Sequence, residues 1–147
     1  MKLQKVVLAG VVVGAVGIAL AERRHRDRLR IDTAAMHQRL LADIATDPEH
    51  QKLWAHDGDD PGEMALFVRA NRQLSLTQTM YRVRVLDDAN LRVAAENLMK
   101  REGVRLFWDR FGSFRAQEAA TRRDRHFVEI IDQAHAAALA KTMPTLV

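Results

Sequence analysis

The sequence predicts an all-α protein: an N-terminal transmembrane helix followed by a compact bundle of about five helices. Three observations carry that expectation. Val6 to Ala21 is an apolar run without a charged side chain. Apolar residues after it recur at three- and four-residue intervals. The only β-branched run is the anchor itself, so no strand pattern competes.

The first element is the run VVLAGVVVGAVGIALA. Its 16 residues span about 24 Å as a helix, a little short of a hydrocarbon layer of about 30 Å, and snorkelling of Lys5 or local thinning covers the difference. Lys2 and Lys5 precede it. Arg23, Arg24, Arg26, Arg28 and Arg30 follow it, a basic cluster suited to a membrane surface, and the excess places the helical domain in the cytoplasm of a single-pass cell-membrane protein. Ala19-Leu20-Ala21 also fits a signal-peptidase site, which would make the chain an exported soluble helical protein. The arginines just after that site oppose export, so a retained signal-anchor is the preferred reading. Gly10 and Gly14 form a G-x-x-x-G step with Gly17 a turn further, a spacing that lets two such helices meet as a homodimer.

Residues 22–46 read as a juxtamembrane amphipathic helix, with Leu29, Thr33, Met36, Leu40 and Ile44 as its inner stripe. The helical domain then runs from 47 to 147. Asp47-Pro48-Glu49 opens a short helix bearing Leu53 and Trp54, and Asp57 to Gly62 reads as a loop. A long helix follows from Glu63 to Leu86. It carries Met64, Phe67, Val68, Leu74, Tyr81 and Val85 on one face and Leu66, Leu76, Met80 and Val83 on the other, the pattern of a sandwiched helix. Asp87 or Asp88 caps the next, with Leu91, Ala94, Ala95 and Leu98 inward until Gly103. Val104, Phe107, Trp108, Phe111 and Phe114 form the most aromatic face and the expected core centre. Gly112 and Ser113 are expected to interrupt that element. Ser113 would then cap a last helix to about Lys141, with Phe127, Ile130, Ile131 and Ala134 inward.

Charge excludes the obvious guess. The chain has net charge +4, but residues 1–30 hold seven basic and two acidic side chains, while the remainder holds 16 basic and 17 acidic ones. The basic excess sits beside the anchor, which argues against nucleic-acid binding. Without cysteine there is no disulfide scaffold and no thiolate site. The histidines are out of phase for a shared metal, and the Asp57 loop has Pro61 and Val68 where a calcium loop needs ligands. Phosphate-loop, dinucleotide, nucleophile-elbow and zinc-protease motifs are missing, so no catalytic residue and no cofactor are assigned and the chain reads as a non-enzyme.

One constellation invites a function. Asn71, Ser75 and Gln78 lie at helical spacing on an apolar face, so on burial they need partners; with Trp54 and Trp108 they make the candidate polar core or pocket. The leading reading is a membrane-anchored module that binds a protein partner or itself, in contact with the lipid bilayer. The alternative is a helical small-molecule sensor or enzyme whose pocket lies near Trp54, Asn71 and Trp108.

The order of LLADIATDP, Trp54, FVRAN with Asn71, GVRLFWDRFGSFR with Phe107 and Trp108, and HFVEIID resembles an actinobacterial family of small membrane-anchored helical proteins carrying a domain of unknown function. The resemblance implies an anchored α-helical protein and supplies no catalytic residue.

Overall fold

The computed structural model describes the backbone of residues 2–50 and 60–142, and the side chains of 15–50, 60 and 62–141. Among these residues there is no strand. Helix α1 is Lys2–Thr46, α2 Pro61–Arg82, α3 Asp88–Met99, α4 Glu102–Gln117 and α5 Arg122–Thr142. Residues 48–50 are also helical, begun by Asp47, whose carboxylate accepts the Glu49 N–H at 2.9 Å. Residues 1–33 and 34–147 form two compact units. The second therefore takes in the end of α1, from residue 34, which the sequence reading grouped with the juxtamembrane helix.

In the first unit Arg23, Arg24, Arg26, Arg28 and Arg30 are all exposed. Arg26 pairs with Glu22 and Arg30 with Asp27, both along the helix surface. A Cβ on Gly17 would meet nothing within 4 Å. Gly10 and Gly14 lie outside the residues whose side chains are described. Among the described residues no helix is long and apolar enough to cross a membrane; the side chains of residues 6–14 of the apolar run lie outside the described ones.

The second unit is built on α2, whose ends are set by local chemistry. Asp60 accepts the Glu63 N–H at 2.9 Å, and Pro61 takes the first helical position, where its missing N–H costs nothing. At the other end the Val85 N–H reaches Met80 O at 2.9 Å and the Arg84 N–H reaches Tyr81 O at 3.1 Å. That pair of bonds requires a left-handed residue, and Arg84 supplies it at φ 66° in place of the usual glycine. The helix thus stops at Arg82, and Val85 is exposed rather than in the core. Asp87 caps α3 through the Asn90 N–H at 2.8 Å.

The main core joins Phe67, Leu74 and Tyr81 of α2 to Leu91, Ala95 and Met99 of α3, Val104, Phe107 and Trp108 of α4, and Phe127, Ile130 and Ile131 of α5. Leu41 and Ile44 of α1 form a smaller cluster with Val68. Three expectations are corrected. Of the expected stripe on α1 Ile44 is buried, but Leu29, Met36 and Leu40 are exposed, because the helix turns Leu41 inward beside Ile44. The second expected face of α2 is only partly covered: Leu66 and Leu76 are exposed and Met80 and Val83 half-buried, while Val68 packs on Leu41 and Ile44 of α1.

The third concerns Gly112 and Ser113, which lie inside an unbroken α4. A Cβ at Gly112 would stand 3.1 Å from the Trp108 indole nitrogen, so this glycine makes room for a ring one turn earlier. The last helix starts instead after Thr121. Its hydroxyl accepts the Asp124 N–H at 3.1 Å and donates to Asp124 Oδ2 at 2.7 Å, a reciprocal cap three residues apart.

Candidate ligand groove

The polar stripe of α2 meets its partner across the bundle. Asn71, Ser75 and Gln78 occupy one face, and Arg115 of α4 reaches all three. Its Nη2 donates to Asn71 Oδ1 and, at 2.8 Å, to Ser75 Oγ; its Nη1 donates to Gln78 Oε1 at 3.1 Å. Gln78 turns its amide nitrogen toward Asp124 Oδ1 at 3.5 Å, and Arg82 pairs with the same carboxylate. A polar relay therefore runs from α4 through α2 to the cap of α5.

These groups feel their surroundings differently. Burial pulls the Arg115 guanidinium below the ordinary arginine value; Glu118 nearby opposes the shift and Arg82 adds to it. Burial alone would raise the Asp124 carboxyl, but hydrogen bonds from Arg82 and Thr121 outweigh it and hold the group below the usual aspartate value. Among the described residues Arg115 has no carboxylate at ion-pair distance. Its three acceptors are neutral.

Arg115 stands at the side of an apolar groove of about 680 Å³. Leu40 and Ile44 of α1, Met64 and Phe67 of α2, and Phe111 and Phe114 of α4 supply its walls. Phe67 packs edge-on against Phe111 at 5.5 Å between ring centres and against Phe107 at 6.2 Å. Arg110 spans the rim, its guanidinium 5.4 Å from the Phe67 ring centre and 3.5 Å from Glu63 Oε2. Gln38 of α1 holds the wall to α2, donating to Arg72 O at 2.9 Å and accepting from Arg72 Nε at 3.3 Å.

Of the pocket residues expected from sequence, Asn71 and Ser75 line this groove, and Gln78 lies behind them on Arg115. Trp108 does not join them. Its ring is buried on the side toward α5, where the indole N–H donates to Asp132 Oδ1 at 2.7 Å. Trp54 lies outside the described residues. Sequence reasoning missed Arg115 as the centre of the site. The available signal was the stripe itself, since three half-buried acceptors at helical spacing call for a multi-donor cation opposite, and Arg115 follows the aromatic face.

The fold and groove define a small all-α protein with a ligand-sized apolar cleft and one embedded cation. By sequence the chain belongs to DUF6082, a family of unknown function, whose model matches residues 3–145. Neither the curated proteins nor the solved structures contain a match to it.

Proposed function

We propose that the protein is a membrane-anchored helical binding module, single-pass with its helical unit in the cytoplasm, and that the groove beside Arg115 takes a small apolar ligand. The observation that carries the binding reading is the groove. Its volume falls in the range of small-molecule sites, roughly 300–1,000 Å³, and its apolar walls converge on one polar cluster. Supporting the anchor are the uncharged stretch from Val6 to Ala21 and the five exposed arginines after it. A protein partner or a second copy is the other reading, favoured by Leu40 and Phe114, which leave apolar surface open on the rim.

Two measurements test the proposal. Full-length protein is expected to stay in the membrane pellet through alkaline carbonate washing; release into the wash overturns the anchor. Methyl NMR of Leu40, Ile44 and Met64 in the full chain is expected to shift on adding dodecanol, a neutral apolar probe. Unmoved groove methyls, with shifts elsewhere or nowhere, overturn the binding reading.

A further inference from the structure

We infer that the groove selects a single-chain amphiphile with a carboxylate head, and that Arg115 is the residue that reads the head group. This inference rests on the groove being a binding site and adds the charge of what it binds.

The argument begins with donor supply. A guanidinium carries five N–H groups, and Arg115 places three hydrogen bonds. Donors therefore remain for another acceptor. Its Nε, which makes none of these three bonds, is not sealed off from solvent, and Arg115 itself lines the cleft. The protein acceptors are an amide, a hydroxyl and a second amide, which orient the fork and leave its positive charge uncancelled. A partly buried cation with no carboxylate at ion-pair distance is a costly arrangement that an incoming carboxylate would relieve.

The rest of the lining sets the charge and shape of that anion. Glu63 is engaged by Arg110, and Glu118 already acts on Arg115 from a distance. A monoanion matches this balance, whereas a dianionic phosphate would meet one available cation and two nearby carboxylates. The aromatic and aliphatic walls suit a hydrocarbon tail running from Arg115 along Phe111 toward Leu40 and Ile44. A charge-assisted contact between guanidinium and carboxylate in such a setting is worth about ten-fold or more in affinity over a neutral head.

The test compares four probes with the same tail, dodecanoate, dodecanol, dodecyl phosphate and dodecyltrimethylammonium, titrated below their aggregation limits. Full-length protein in lipid nanodiscs is observed through the Leu40, Ile44 and Met64 methyl groups. Dodecanoate is expected to bind about ten-fold or more tightly than dodecanol. In Arg115→Met that preference is expected to vanish while dodecanol binding persists, and Arg115→Lys is expected to restore part of it. Equal affinity for dodecanoate and dodecanol in the wild type overturns the inference yet leaves the groove as a binding site. Tighter binding of the phosphate or the ammonium probe overturns it as well. If no probe moves the methyls, the underlying binding reading falls too. Because the head-group series is run on the wild type, the inference stays testable even if Arg115→Met fails to fold.

Discussion

Helix α2 has two dissimilar stretches. Around Tyr81 the inward side is closed: Tyr81 is 2 % exposed, its hydroxyl donates to Asp88 Oδ1 at 2.7 Å, and its carbonyl accepts from Arg123 Nε at 2.7 Å. The Arg123 guanidinium also lies 3.9 Å from the Tyr81 ring centre. Around Phe67 to Ser75 the same helix borders a cleft, with aromatic rings open on one side and a cation that retains spare donors. The first arrangement spends its polar groups on holding helices together. The second keeps polar capacity in reserve beside apolar surface, which is what a binding site requires and a core does not.

Side-chain truncation gives the largest contrast between the two. Ile131 is 0 % exposed in the closed region, so Ile131→Ala is expected to cost about 2–5 kcal/mol, whereas Phe114→Ala, removing a ring that is 56 % exposed on the groove, is expected to cost about 0.5 kcal/mol. Chemical unfolding followed by circular dichroism measures both. Comparable losses would mean that the groove wall is core, and the contrast would be broken.

Two glycines sharpen the same comparison at smaller amplitude. A Cβ at Gly103 would approach Leu66 Cδ1 to 2.5 Å, a nearer contact than the 3.1 Å between a Gly112 Cβ and the Trp108 indole. Distance alone would make Gly103 the worse place for alanine. Leu66, however, is 36 % exposed and can rotate away, while Trp108 is buried and tied to Asp132. Gly112→Ala is therefore expected to destabilise by about 1–3 kcal/mol and Gly103→Ala by less than about 1 kcal/mol, read from paired thermal melts. The reverse order would show that Trp108 has more freedom than its hydrogen bond implies.

How much of this was legible in the sequence follows from which interactions are local. The cap at Asp87 and the inward residues of α3 and α5 are short-range patterns, and each appears where its spacing puts it, whereas Asp60 and Pro61, read as loop, cap and open α2. Gly112 misled because glycine reads as a helix stop, while its role here depends on a ring one turn away. Arg84 hid the end of α2, since an arginine in the left-handed region leaves no compositional mark. The stripe of Asn71, Ser75 and Gln78 was visible, but its partner lies some forty residues further along the chain, and spacing says nothing about contacts at that range. Trp108 was grouped with the stripe on aromatic character alone, and α4 turns it the other way.

The smallest effect concerns pH and separates the two stretches without altering their packing. Burial, followed by the hydrogen bond and charge of Asp88, pushes the Tyr81 phenol up to about 12, so the folded state favours the protonated form. A raised value stabilises the fold fully below the unfolded tyrosine pKa of about 10, and that contribution disappears as pH climbs through the folded value. Stability should thus decline between about pH 10 and 12, and Tyr81→Phe should flatten the decline while leaving the groove methyl spectrum unchanged at neutral pH. Asp124 answers in the opposite direction: its lowered carboxyl contributes above the unfolded aspartate value of about 3.9 and loses that contribution on acidification. Since Asp124 faces the Arg115 relay through Gln78, acid should perturb the groove methyls before unfolding, whereas alkali should not. If both extremes disturbed the groove alike, α2 would be transmitting strain along its length and its two stretches would not be independent.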